Sequence, residues 1–389
     1  MAAAQACDLL MQVARDLAPK ITAVRGEIER ERTLPASLAA TMGEAGFFSL
    51  WRSRTFGGPE LSYTDFARII EELSRSDGSV GWCTMVAAVF SRLSGYLDEN
   101  VGREIFGDGR AILAGSINPS GKATVVPGGY RLSGRWTYGS FIQHSNWVVG
   151  NSIVHEGDSP RRDADGAPDI RFMIVPTREV EIIDNWHVSG LKGTGSNDFE
   201  VRDLFVPDDH ALPAFTGKPV QPGTLYATPL ITIFAASIPP VSFGIARAAI
   251  DAFVQLAEAK APMGSAVKLR DKPTVQADVG RAEALLGSAR AFLFESVERL
   301  WDEVAAGKMP SLRQRAVVRV AAAHAAASSA QAVDLLHNAA GGTALFESNP
   351  LERCFRDVHA TTRHIGTSSN NFELGGRVLL GLDPGTPRF

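Results

Sequence analysis

Cysteine is scarce in this chain: Cys7, Cys83 and Cys354 are the three among 389 residues. They are far apart and form no CxxC pair, which argues against a disulfide framework or a zinc site and fits a reducing, cytoplasmic setting. No metal is expected. Basic charge is not in excess either. The 39 Lys and Arg face 43 Asp and Glu, for a net charge of −4. The basic residues are scattered, so nucleic acid is not an expected partner, although a local cluster for a small anion stays open. Long apolar runs are missing. The N-terminus, MAAAQACDLLMQVAR, carries Asp8 where a signal peptide is apolar and lacks a basic start. The most apolar stretch, residues 225–241, is broken by Pro229, Pro239 and Pro240 and is too short to span a bilayer, so no membrane partner is expected. No GxGxxG follows a strand, so the chain is not expected to bind NAD(P)H itself.

What is present is an ordinary globular composition, 45% hydrophobic and 21% charged, with a hydrophobic period that changes twice along the chain. Residues 1–110 predict an N-terminal helical domain. Apolar residues recur at helical spacing in 7–17, 34–45 and 63–73, with Ser62 placed to cap the third helix and Asp65 in its first turn. Residues 79–97 read as a nearly all-apolar, buried helix. Residues 111–212 predict a β domain, a small barrel or sandwich. Runs such as AILAGSI, ATVVPGGYRLSG, NWVVGNSIV and RFMIVP are rich in β formers and punctuated by Gly, Pro, Asn and Asp. Gly128 and Gly129 read as a hairpin turn, and 157–168 as a polar flexible loop. Residues 213–389 predict an antiparallel helical bundle, with long segments at 238–260, 274–306, 311–340 and 349–365 and a shorter one at 370–381.

Three strings lie in order along this chain: GGYRLSGRWTYGSFIQHSNWVVG at 128–150, WHVSGLKGTGSNDFEVRDLFVP at 186–207 and AGGTALFESNPLERCFRD at 340–357. Together with the helix, sheet, helix order they resemble the signatures of the acyl-CoA dehydrogenase superfamily. The resemblance implies that superfamily's fold, with an N-terminal helical domain, a middle β domain and a C-terminal four-helix bundle, and it implies a flavin site. Trp136 stands where the family flanks the isoalloxazine, with Tyr138 and Ser140 following in the same signature. Ser116 in AGSINPSG, and Thr194 and Ser196 in KGTGSN, offer hydroxyls to the polar edge of a flavin. Gly341 and Gly342 let backbone approach a cofactor closely. Simpler readings stay open: Trp136 as core, KGTGSN as a turn, the glycine pair as a helix stop.

Dehydrogenases of this family remove an α-proton with a glutamate, which in some members sits in RDxxxxxIYEGT. Here the string is RDVHATTRHIGT, from Arg356 to Thr367, so Ile365 stands in the glutamate's place and His364 before it. An isoleucine accepts no proton. Residues 239–242 before Gly244, where other relatives place the base, hold no carboxylate. Arg356 to His364 resembles instead the pattern of the flavin-dependent monooxygenase branch. That resemblance implies a two-component enzyme, in which a separate NAD(P)H:flavin reductase supplies FADH2 or FMNH2. Oxygen then adds at the flavin C4a carbon to give a hydroperoxide, and a small aromatic substrate (phenolic, indole or polycyclic) is hydroxylated.

On that resemblance His364 is expected to act as the base or hydrogen-bond partner of the substrate. Ser140 is expected near the flavin N5 and Asn118 as a donor to the peroxide, with Thr367 among the cofactor contacts. Trp82, Met85, Phe90, Phe141 and Ile365 are expected to line the substrate pocket. His144 reads equally as a site residue or as a holder of the sheet edge, and His359 as structural. Lys260 and Met263 stand where FAD-binding relatives carry an arginine and a phenylalanine. Arg270 is the candidate phosphate ligand and Asn338 stands at an adenine-side glutamine, which leaves FAD against FMN open. The family implies a homotetramer. An acyl-CoA dehydrogenase or oxidase with a relocated base, an amine N-hydroxylase and a catalytically silent flavin binder stay open as alternatives.

Overall fold

The computed structural model describes residues 2–163, 166–262, 264, 266–386 and 389. Met263 and part of the 157–168 loop lie outside them. The N-terminal part is helical as expected, in five helices: α1 (Ala2–Glu31), α2 (Ala36–Glu44), α3 (Tyr63–Ser76), α4 (Gly78–Ser91) and α5 (Glu99–Phe106). α1 runs far past its apolar start because Ile21 and Ile28 keep one buried face through a polar stretch. Ser62 does cap α3: its hydroxyl accepts from the Asp65 N–H at 3.1 Å. Asp77 caps α4, accepting from the N–H groups of Ser79 and Val80 at 2.9 and 3.2 Å. α4 is apolar all round and is buried along nearly its whole length.

The middle part forms one sheet from β1 (Leu113–Val126), β2 (Gly129–Gly139), β3 (Trp147–Glu156), β4 (Ser159–Pro160), β5 (Ile170–Pro176), β6 (Glu181–Ile183), β7 (Asn197–Pro207) and β8 (Ala211–Pro213). The order is β6-β7-β2-β1-β3-β5-β8, with β4 pairing β3. β6 and β8 end that order unpaired with each other, so hydrogen bonds do not close the sheet into a barrel. The β1–β2 hairpin turns at Gly128, whose φ of +80° suits glycine. β1 runs parallel to β3 with a break in register between Ser116 and Gly121.

The C-terminal part comprises α6 (Thr224–Ala227), α7 (Leu230–Ser237), α8 (Pro239–Ala259), α9 (Pro273–Ala305), α10 (Leu312–Ala340), α11 (Pro350–Thr361) and α12 (Asn370–Leu379). Leu230–Ala259 is long and apolar enough to cross a bilayer, but 83% of its apolar window is buried within the protein. Its apolarity therefore serves the core. The N-terminal helices and the bundle share one hydrophobic cluster, and the sheet has one of its own and shares a third with α4 and α5.

The loop at 190–196 locks these layers together. A Cβ at Gly190 would lie 2.2 Å from the Arg356 carbonyl oxygen, so glycine alone lets this loop touch α11. The next residue, Leu191, adopts φ +52° and donates its N–H to the Asp357 carboxylate at 2.6 Å. Asp357 is buried, with Asp77 nearby. Burial first, then the like charge of Asp77, pushes its pKa up to about 7, against the opposing Leu191 N–H. An acid raised in the fold adds stability below its unfolded pKa of about 4, and that stability is lost as pH rises through about 7. Asp357→Asn keeps an acceptor for Leu191 and removes the titration. Its melting temperature should fall less than the wild type's between about pH 5 and 8; an unchanged slope would contradict this assignment.

Candidate active site

A directed chain of hydroxyls leads out of the 190–196 loop. Trp82 on α4 donates its indole N–H to Ser140 Oγ at 3.1 Å. Ser140 and Ser196 are 2.7 Å apart, as are Ser196 and Thr194. Thr194 donates to the Leu191 carbonyl at 2.8 Å. An indole N–H only gives and a carbonyl only accepts. Thr194 spends its proton on Leu191 and so accepts from Ser196, which in turn accepts from Ser140. Reversing the chain would leave Thr194 Oγ and the Leu191 oxygen 2.8 Å apart with no proton between them. Ser140 therefore accepts from Trp82, donates to Ser196 and keeps one free lone pair. All three hydroxyl residues are buried.

His364 stands beside this chain, in the turn after α11. Its ring lies edge-on to Trp82 at 5.7 Å and tilted against Phe234 of α7 at 5.3 Å. Nδ1 accepts the Gly366 N–H at 3.0 Å, which puts the proton of the neutral ring on Nε2. Burial pushes the pKa down to about 4. At neutral pH the ring is uncharged and carries its proton on Nε2. Met85, one turn beyond Trp82, brings its sulfur within 3.7 Å of the Ser237 hydroxyl, which donates to the Phe234 carbonyl at 2.7 Å, and this contact joins α4 to α7. Thr367 is buried and donates to the Thr361 carbonyl at 2.7 Å, which holds the His364 turn.

The remaining expected site residues fall elsewhere. Trp136 is fully buried in the sheet core, stacked on Phe199 at 5.1 Å and donating to the Asn151 carbonyl. Tyr138, two residues on, is the exposed ring, edge-on to Trp186 at 6.1 Å. Phe141, at φ +64°, turns into the core against Phe48 and His144. Ile365 is 67% exposed, unlike its neighbour His364, whose ring contacts Trp82 and Phe234. Phe90 packs in a separate cluster with Leu97 and Phe172. Ser116 accepts from the Asn118 N–H and shapes the β1 bulge, where Asn118 is exposed. No described contact joins either residue to His364. His144 bonds the Leu34 carbonyl and Thr33, and His359 pairs with Asp334 at 2.8 Å; both are structural. Phe234 and Ser237 lie in the apolar stretch that the sequence marks only as too short for a membrane span.

A second hollow, of about 750 Å³, is lined by Lys260, Lys272, Gly341 and Gly342 among others. Lys260 donates to the Ala340 carbonyl and to Thr343 and so fixes the glycine turn. Gly341, at φ +61°, both ends α10 and lines the hollow. Arg270 does not line it: this residue is exposed beside Asp271 at 3.8 Å. Asn338 is exposed and contributes its carbonyl to the helix cap.

The family models for the acyl-CoA dehydrogenase N-terminal and C-terminal domains match residues 6–96 and 236–369. The indole-3-acetate monooxygenase of Pseudomonas putida is 31% identical over 360 residues, covering 92% of this chain and 90% of that protein. The FADH2-dependent resorcinol hydroxylase oxygenase component of Rhizobium sp. is 30% identical, covering 92% and 90%. Among solved structures, XiaF from Streptomyces sp. in complex with FADH2 and glycerol has a TM-score of 0.91 at 27% identity, covering 99% of this chain and 98% of that one. The chain belongs to the acyl-CoA dehydrogenase superfamily, and within it to the flavin-dependent monooxygenase branch.

Proposed function

We propose that this protein is the oxygenase component of a two-component flavin-dependent monooxygenase that hydroxylates an aromatic ring. The observation that carries this reading is His364, a neutral Nε2–H donor set between Trp82 and Phe234 beside the Ser140 chain. A reduced flavin bound at this site supplies the electrons that activate dioxygen. The residues fit it in a redox-specific way. The free lone pair of Ser140 suits the N–H that a reduced flavin carries at N5, where the oxidised ring has only a lone pair. Tyr138 offers an exposed ring, and Lys272 with the Gly341–Gly342 turn offers a cation and open backbone to a phosphate. Trp82 and Phe234 hold a flat apolar substrate and exclude water. His364 Nε2–H bonds an oxygen of the reacting partners. A relocated dehydrogenase base is disfavoured because Ser242 at the start of α8 is committed to Thr361 at 2.8 Å and no carboxylate joins the box among the described residues. A separate NAD(P)H:flavin reductase in a shared cytoplasm and a homotetrameric assembly complete the proposal.

With reductase and an aromatic substrate, His364→Ala should keep flavin affinity within about twofold and lose about a hundredfold in hydroxylation. The wild-type rate should carry no inflection from His364 between about pH 8 and 5, above its pKa of about 4. Unchanged product yield in the variant would remove His364 from the reaction. Thr194→Val leaves Ser196 without its acceptor, so Ser196 turns to Ser140 and frees the Ser140 proton. Anaerobic titration should show the wild type favouring reduced over oxidised flavin, and Thr194→Val losing about tenfold of that preference while Thr194→Ser keeps it. An unaltered ratio in Thr194→Val would contradict the polarity of the chain.

A further inference from the structure

The turn that presents His364 is held from the bundle by one buried amide. Asn371, in the first turn of α12, is 1% exposed. Its Nδ2 donates to the Ile365 carbonyl at 2.8 Å and to the Ser368 carbonyl at 3.0 Å. Its Oδ1 accepts from Nε of Arg319, on α10, at 3.0 Å. The two ends of this amide cannot be exchanged. An arginine only donates and a carbonyl only accepts, so the oxygen must face Arg319 and the nitrogen must face the turn. Arg319 is itself buried, and packing of its guanidinium 4.9 Å from the Phe389 ring centroid helps to hold it in place.

The Ile365 carbonyl that Asn371 holds and the Gly366 N–H that His364 Nδ1 accepts belong to one peptide unit. That unit is planar and trans, so its C=O and N–H point in opposite directions. A hydrogen bond on the oxygen therefore aims the N–H at the ring and polarises it as a donor. The turn has little slack in which to move. A Cβ at Gly366 would lie 2.8 Å from Ile238 Cδ1 and 3.2 Å from Ala235 Cα, and the N–H groups of Thr367 and Ser368 close on the His364 carbonyl at 2.9 and 2.8 Å. Which ring nitrogen of a histidine keeps the proton is decided by the bond that the other one makes.

We infer that Asn371 is a positioning residue that sets the tautomer of His364, acting through the Ile365–Gly366 peptide and oriented by Arg319. Its effect on turnover rests on the oxygenase reading above. The path runs from a buried cation, through one amide and one peptide, to the proton on Nε2. Asn371→Asp interrupts it at a single atom. The variant keeps an oxygen for Arg319 and turns a second oxygen toward the carbonyls of Ile365 and Ser368. Acceptor then faces acceptor, and the peptide relieves the repulsion by rotating, which takes the Gly366 N–H off Nδ1.

The test is ¹⁵N NMR of the protein with labelled histidine, without flavin or reductase, using His364→Ala to identify the His364 signals. At neutral pH the wild type should carry its proton on Nε2; a proton on Nδ1 would overturn the inference before any variant is made. In Asn371→Asp the Nδ1–H form should gain about tenfold over Nε2–H. Hydroxylation with reductase should fall about tenfold in the same variant, with flavin affinity kept within about twofold. Asn371→Ala adds no charge and should move both readouts in the same direction, so the inference stays testable if Asn371→Asp does not fold. A folded variant with the wild-type tautomer ratio would overturn it, whatever its activity. The tautomer is read without turnover, so a shift in a protein that never hydroxylates refutes the oxygenase reading and not this one.

Discussion

Much of the site hangs on the backbone of Leu191. Its N–H is held by Asp357 of α11 and its carbonyl ends the hydroxyl chain that begins at Trp82. Its left-handed φ of +52° is a conformation that a branched residue keeps only when its surroundings impose it. Here they do. Gly190 allows the contact with α11, and Trp186 and Thr194 both donate to the Leu191 oxygen. One residue thereby relates the helix that leads into His364 to the strand end that carries Ser140.

The fold serves this arrangement by bringing four elements to one place. α4 presents Trp82, and β2 ends at the serine. α7 contributes Phe234, and the turn after α11 supplies the histidine. The helical layers share a core, which makes their relative positions a matter of close packing. The chemistry of the site follows from which protons are already committed. Ser140 has given its proton away, so it accepts. His364 holds its proton on Nε2 and stays neutral, so it donates. Neither statement depends on a charge, and both suit a dry site.

Much of this was legible in the sequence. The bundle segments at 238–260 and 274–306 correspond to Pro239–Ala259 and Pro273–Ala305. Ser140, Thr194, Ser196 and His364 stand out in strings that resemble a family and Trp82 in an apolar helix, but the chain of hydrogen bonds that joins them has no sequence signal. What was hidden lies where regular periodicity stops. Trp136 and Tyr138 would share a face in an unbroken strand, but the register shifts after Trp136 and Tyr138 takes φ +63°. The tryptophan goes to the core and the tyrosine to the surface. Phe141 enters the core through another left-handed residue. Ile365 follows the end of α11, so helical spacing says nothing of its direction. The link from Arg319 through Asn371 to the His364 turn joins α10 and α12 to the end of α11, and no local pattern announces it.

The most direct measurement is isotopic. Reductase, NADH and this protein are incubated with an aromatic substrate under ¹⁸O₂, and the product is weighed by mass spectrometry. The account predicts a hydroxylated product carrying one labelled oxygen, formed only when the reductase is present. An unlabelled product, or bleaching of bound flavin by an acyl-CoA with no reductase, would contradict it.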